Sequence, residues 1–120
     1  MEFEFYTAGR IIYGRGAFDR IGALAADFGR KAFIVLGGEF LRSSGVVDRL
    51  AESLDAHQIG RAYHMVEGEP EVATIDEALE AARDAGCDVV IGLGGGSAID
   101  TAKAVAGLLT NGGSALDYME

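Results

Sequence analysis

Basic residues are scarce in this chain. Ten Lys and Arg stand against nineteen Asp and Glu, for a formal charge of −9. Nucleic-acid backbones are gripped by clustered Lys and Arg, so a nucleic-acid partner is excluded, and an anionic membrane surface is disfavoured for the same reason. No apolar run approaches the ~20 residues of a membrane-spanning helix. The opening Met1-Glu2-Phe3-Glu4 has neither the basic start nor the apolar stretch of a secretory signal. A single cysteine, Cys87, cannot form an internal disulfide, which fits a reducing cytoplasm. Low-complexity segments and blocks of like charge are also missing. What is left is 120 residues, 49% hydrophobic and 24% charged. That is the composition and length of one globular domain, able to bury roughly two-thirds of its unfolded surface without a disulfide or structural metal. Glycine, in contrast, is abundant at 18 residues, which predicts tight turns and close backbone approaches.

Apolar strands and amphipathic stretches alternate along the chain, the pattern of an α/β fold: an open, mostly parallel sheet with helices on both faces. Phe3 to Tyr6 and Arg10 to Tyr13 read as a short amino-terminal strand pair around Ala8-Gly9. Phe18, Ile21, Leu24, Ala25 and Phe28 share one helical face over residues 17–28, and Gly29 is expected to stop that helix. Residues 31–36 form a continuous apolar run, as expected of a strand covered on both sides, and end at Gly37-Gly38. Val46, Val47, Leu50 and Leu54 give the next helical stripe. Residues 61–66 are more polar and read as a strand nearer the sheet edge. Thr74 and Glu77 have capping-box spacing ahead of a stripe through Ile75, Ala78, Leu79, Ala82 and Ala85, which Gly86 closes. Residues 88–93 are the third strand, and residues 98–109 the last helix, stopped by Asn111-Gly112-Gly113. Ser114 to Glu120 reads as no closing element, so the chain is expected to be cut rather than finished.

The most informative stretch is Gly94-Gly95-Gly96-Ser97-Ala98-Ile99-Asp100, with a buried strand leading in and a helix leading out. Free amides at a helix start carry partial positive charge and point outward. Glycine lets an anion approach them, and Ser97 adds a hydroxyl donor. Ligands of open α/β sheets bind at this carboxyl edge. The bland alternative is a glycine-rich turn with Ser97 as a helix cap and Asp100 in the favourable first turn. Ser97 stands where a dinucleotide fingerprint has its last glycine, and the Gly-Lys-Ser/Thr of a P-loop is missing. Elsewhere, Cys87 reads as a packed thiol. His57 and His64 are not spaced as a metal pair, and Asp48, Arg49, Glu52 and Asp55 read as a solvated helix face. Lys103 reads equally as a solvent-facing side chain or as one reaching an acid or ligand.

Residues 94–103, Gly-Gly-Gly-Ser-Ala-Ile-Asp-Thr-Ala-Lys, resemble the Gly-Gly-Gly-Ser-x-x-Asp-x-x-Lys signature of iron-containing (group III) alcohol dehydrogenases. Residues 10–17 are similar to the family's opening strand and Gly-x-Gly turn. Residues 31–38 are similar to its first long strand, Pro70 to its proline-containing loop, and residues 108–118 to the stretch after the signature helix. The resemblance implies that residues 1–120 are a Rossmann-like domain binding NAD or NADP. A helical carboxy-terminal domain would supply one Asp and three His to iron or zinc. It implies that Gly94, Gly95, Gly96 and Ser97 contact the cofactor pyrophosphate, with Asp100 nearby at the helix start. Gly37 and Gly38 lie where many NAD-preferring relatives carry a ribose-binding Asp, and Glu39 follows, which leaves NAD and NADP both open. The metal would polarise a small alcohol or aldehyde while hydride passes to or from the nicotinamide. Its ligands are expected beyond Glu120, so no catalytic residue is assigned and the 120 residues alone are expected not to oxidise alcohols. Maleylacetate reductases tend to lack the residue seen here as Asp100, and glycerol dehydrogenases and dehydroquinate synthases differ around Ser97. The competing readings are a stand-alone nucleotide- or phosphate-binding module and a truncated product that self-associates, possible homo-oligomers being allowed by either.

Overall fold

A computed structural model describes residues 3–6, 9–15, 20–37, 45–67, 72–93, 96–109 and 114–119. In chain order the described elements are β1 (Phe3–Tyr6), β2 (Gly9–Arg15), α1 (Ile21–Ala26), β3 (Lys31–Gly37), α2 (Val46–Ala56), β4 (Gly60–Val66), α3 (Val72–Asp84), β5 (Val89–Leu93), α4 (Gly96–Leu108) and β6 (Ser114–Met119). They build one sheet in the order β1-β2-β6-β5-β3-β4. Strand β1 is antiparallel to β2, and every other neighbouring pair is parallel.

The parallel strands β5 and β3 are covered on both faces, because successive side chains of a strand point to opposite faces and each face carries helices. Ala32, Ile34 and Leu36 of β3, with Val89, Ile91 and Leu93 of β5, pack on one face against Ile21 and Ala25 of α1 and Leu50 and Leu54 of α2. Phe33, Val35 and Val90 turn to the other face and meet Ala78, Leu79 and Ala82 of α3 and Ala98, Ala102 and Val105 of α4. A strand covered on both sides needs apolar residues at every position, which is why residues 31–36 read as an unbroken run. Strand β4 is the sheet edge beyond β3, and its Tyr63 and Met65 are left 44% and 45% exposed.

Several boundaries differ from those expected. The helix expected over 17–28 is described as α1 from Ile21; Gly16 to Asp19 lie outside the described residues. Thr74 does not cap α3: the helix already begins at Val72, so Thr74 sits inside its first turn. The stretch Ser114–Met119, expected to form no element, is β6, inserted between β5 and β2. Gly29 does not stop α1 by a left-handed turn, since the described glycines with positive φ are Gly45 and Gly86. Gly29 is needed for space: a Cβ there would lie 2.3 Å from the Asp88 carboxylate and 2.5 Å from Val89. That carboxylate accepts hydrogen bonds from the Arg30 and Lys31 amides at 2.9–3.0 Å, and the Asp88 amide donates to the Lys31 carbonyl at 3.0 Å. The starts of β3 and β5 are thereby tied together.

Two helices end in the same motif for different sequence reasons. At the end of α3, Gly86 has φ +71°. Its amide donates to the Arg83 carbonyl, and the Cys87 amide to Ala82, the Schellman pattern. At the end of α2, the Gln58 amide donates to Asp55 and the Ile59 amide to Leu54, but the left-handed position is Gln58, at φ 59°. Ile59 and Leu54 are both buried there, giving the hydrophobic contact that accompanies the motif.

Replacing Gln58 by Gly removes the Cβ clash of a left-handed residue, which costs about 1–2 kcal/mol for a non-glycine residue. After the greater chain entropy of Gly is offset, Gln58→Gly is expected to raise stability by about 0.5–1 kcal/mol, read as a higher urea midpoint with unchanged slope. The contact between α1 and α2 predicts the opposite sign at Gly22. Its amide donates to the buried Ser53 hydroxyl at 2.8 Å, supplying α1 with the cap that Arg20 does not give. A Cβ on Gly22 would stand 2.0 Å from the Ser53 carbonyl oxygen, which is backbone and cannot swing away. Gly22→Ala is therefore expected to cost about 2–3 kcal/mol, and an unshifted urea midpoint would contradict that packing.

Candidate functional site

The arrangement that makes a site is at the carboxyl ends of β3 and β5. These strands are adjacent and parallel, with Leu36 opposite Leu93 in register. The helices that follow them leave in opposite directions: α2 packs on one face of the sheet and α4 on the other. Where neighbouring connections diverge in this way, no helix covers the strand ends and a crevice is left. Gly37 ends β3 at this edge and is buried. Gly96 opens α4 at the same edge and is exposed. The expected site residues Gly38, Gly94 and Gly95 lie outside the described residues.

The helix α4 is pressed close to its strand by a glycine. A Cβ on Gly92 would lie 2.8 Å from the Ala102 Cβ and 3.5 Å from the Ile99 Cα. The close approach aims the first turn of α4 at the crevice, with its unbonded amides foremost. Gly96 is different in kind. Among the described residues nothing lies within 4 Å of a Cβ built on it, and its φ is not left-handed. Neither the backbone nor the packing requires glycine at this position.

Two expectations about this helix are corrected. Ser97 is not the helix cap: α4 already begins at Gly96, so Ser97 is its second residue, half-buried. Asp100 does not lie in the first turn, which holds no acidic residue. It is a full turn in, exposed to solvent. The helix starts two residues earlier than Ala98 because glycine and serine, weak helix formers inside a helix, are well accommodated at its beginning. One residue was missed altogether. Thr101 is completely buried, and among the described residues its hydroxyl has no hydrogen-bond partner. Its polar character inside the stripe formed by Ala98, Ala102 and Val105 is visible in the sequence and could have drawn notice.

The other candidates are scattered. Cys87 is buried ahead of β5. Burial pushes its thiol above the usual range, aided by the neighbouring Asp88 and opposed by Lys31, which disfavours the thiolate a nucleophile needs. His57 follows α2, its Nδ1 donating to the Ser53 carbonyl at 3.1 Å. His64 is on β4, its ring 5.6 Å from that of Phe33. Asp48, Arg49, Glu52 and Asp55 are all exposed, and Asp55 accepts from Arg61, which raises the Arg61 pKa. Lys103 is exposed on α4. Among the described residues no three His, Cys, Asp or Glu side chains converge on a point that could hold a metal ion. No helix among them is long and apolar enough to cross a membrane.

Comparison with known proteins decides the family. The model of the iron-containing alcohol dehydrogenase family matches residues 8–120. The chain belongs to the iron-containing alcohol dehydrogenases. It is 32% identical over 121 residues to the NADH-dependent butanol dehydrogenase B of Clostridium acetobutylicum, covering 99% of this chain and 31% of that one. It is 39% identical over 115 residues to the sulfoacetaldehyde reductase of Bilophila wadsworthia, covering 94% and 30%. Among solved structures, the NADH-dependent butanol dehydrogenase A of Thermotoga maritima matches with a TM-score of 0.65 at 35% identity, over 88% of this chain and 27% of that one. An archaeal alcohol dehydrogenase from a Red Sea brine pool matches with a TM-score of 0.72 at 30% identity, over 88% and 26%. The chain thus spans less than a third of the length of these family members.

The close approach at Gly92 gives a test of how α4 is aimed. Gly92→Ala is expected to push α4 off β5 and lower stability by about 1–3 kcal/mol. Thermal denaturation reads this directly, and a melting temperature equal to that of the parent would mean that the helix gives way without cost.

Proposed function

We propose that residues 1–120 are the dinucleotide-binding domain of a metal-dependent alcohol dehydrogenase that transfers hydride between an alcohol or aldehyde and NAD or NADP. The supporting observation is Gly96: an exposed glycine at the start of α4, in the crevice between the diverging connections, with open space where a side chain would be. Gly22, Gly29 and Gly92 are each required by a neighbour that a Cβ would strike. A Cβ on Gly60 would meet Lys31 at ordinary contact distance, and Gly107 has room as Gly96 does, but neither opens a helix. An anion drawn to the first-turn amides needs that open space, because a phosphate oxygen must come within hydrogen-bond distance of the backbone.

On this reading Gly94, Gly95, Gly96 and Ser97 hold the pyrophosphate, Gly37 and Gly38 border the adenosine half, and Asp100 stands near the cofactor one turn along α4. The NADH named for the butanol dehydrogenases supports NAD; the Gly37-Gly38 pair, with no carboxylate of its own to repel a 2′-phosphate, leaves NADP admissible. Bound cofactor supplies the hydride chemistry, while this chain binds and orients it. The family's metal does not fit the described residues of this chain, so no step is derived through it. The 120 residues are proposed to bind cofactor, in the cytoplasm, without turning over an alcohol by themselves.

Gly96→Ala separates binding from folding. The added methyl meets none of the described residues, so the melting temperature is expected to stay level or rise slightly, as Ala is favoured over Gly in a helix. The Kd for NADH, by calorimetric titration, is expected to weaken at least about tenfold, the loss of one or two charge-assisted bonds to phosphate. Ser97→Glu should weaken it further by placing a carboxylate at the phosphate. Unchanged NADH affinity in both variants would overturn the reading.

A further inference from the structure

Thr101 is 0% exposed and its Oγ1 has no hydrogen-bond partner among the described residues. A buried, unpaired hydroxyl destabilises a fold relative to the isosteric methyl of valine, and such a group calls for an explanation. Its position on α4 supplies one. Thr101 is four residues after Ser97, so the two lie on one side of the helix, one turn apart, with Cβ atoms ~5–6 Å from each other. Every Cα–Cβ bond of a helix tilts toward the amino terminus, so the Thr101 Cβ leans toward the turn that holds Ser97, from which one rotation of χ1 brings its hydroxyl to that side. Ser97 is half-buried, and the residues flanking Thr101 on the inner face, Ala98, Ala102 and Val105, have no polar side-chain atom to offer.

We infer that Thr101 is a positioning residue for the phosphate cradle: when a dinucleotide is bound, its hydroxyl donates to the Ser97 oxygen and thereby turns the Ser97 O–H toward a phosphate oxygen. The inference rests on the dinucleotide reading of the crevice and adds to it the group that orients the serine. A hydroxyl can donate once and accept through two lone pairs. If Thr101 donates to Ser97, Ser97 is left with its own proton to give, and a phosphate, which only accepts, is the partner that such a proton fits. The anion is the acceptor that completes this relay.

A structural role and this positioning role predict opposite outcomes for Thr101→Val. The experiment measures melting temperature and NADH affinity by calorimetry for the full chain, with Thr101→Val, Thr101→Ser, Ser97→Ala and the double variant Ser97→Ala/Thr101→Val. The expected result is a melting temperature level or raised in Thr101→Val, with NADH binding weakened about tenfold, as for a lost hydrogen bond supporting a charged partner. Thr101→Ser, which keeps the hydroxyl, should bind within about twofold of the parent. In the Ser97→Ala background, replacing Thr101 should have no further effect, because the group it orients is gone. Parent-like NADH affinity in Thr101→Val, or a full tenfold loss that persists without Ser97, overturns the inference while the dinucleotide reading stands. Failure of the parent chain itself to bind NADH removes the reading and the inference together.

Discussion

The adjacency of β3 and β5 is the constraint on which the rest of this structure depends. Each strand is buried on both faces, so each must be apolar at every position and each must be covered twice. Covering them takes two helices per face, and the chain supplies them by sending α2 to one side and α4 to the other. The opposite departures follow from the strand order. From β3 the chain moves outward to β4; from β5 it moves the other way, to β6. A parallel crossover has one favoured hand, so reversing the direction of travel along the sheet reverses the face on which the helix lies. The divergence of α2 and α4 from the strand ends is the geometric consequence of that reversal, and open α/β sheets bind their ligands at such a point.

Glycine does several jobs in this chain, and separating them is what isolates the site. Gly86 supplies a left-handed turn that ends α3, a task Gln58 performs under strain at the end of α2. Gly22, Gly29 and Gly92 let backbones and side chains come closer than a Cβ permits: helix to helix, loop to the Asp88 carboxylate, and helix to strand. The Asp88 clamp and the Gly92 contact act at opposite ends of β5. One fixes where the strand begins relative to β3, and the other fixes how close α4 lies once the strand has ended. Gly96 meets no such demand among the described residues, which is why the proposed function rests on it.

The centre of the fold was legible from residues 31–36 and 88–93 because burial on both faces writes an unambiguous run of apolar residues. The stripes through Leu50 and Leu54 and through Ala78, Leu79 and Ala82 were equally plain, since one-sided burial of a helix imposes its own period. Helix starts were less legible. Thr74 and Ser97 have the chemistry of caps, but a hydroxyl can serve at a cap or inside the first turn, and local spacing does not tell which. Asp100 was misassigned to the first turn for the same reason, through a helix that begins at Gly96. Strand β6 was missed because Ser114, Asp117 and the glycines before it dilute the apolar signal; its place between β5 and β2 is a tertiary fact. Gly29 was read as a turn when it is a contact, since the carboxylate it makes room for is 59 residues away in sequence.

By total charge alone a chain of −9 is a poor host for the proposed pyrophosphate, yet the two scales of electrostatics do not compete on equal terms. Charges separated by more than about 8 Å are largely screened at physiological ionic strength, so acids spread over the surface add little to the potential in one crevice. What an arriving phosphate meets is the first turn of α4, with free amides at contact distance and no acidic side chain among its residues. A helix terminus behaves as roughly half a positive charge, and at hydrogen-bond distance that term outweighs a dispersed negative field. The first acid along the helix, Asp100, comes only after the amides are spent. On the proposed reading, affinity for an anion is set by where the carboxylates are absent, and the first turn of α4 holds none.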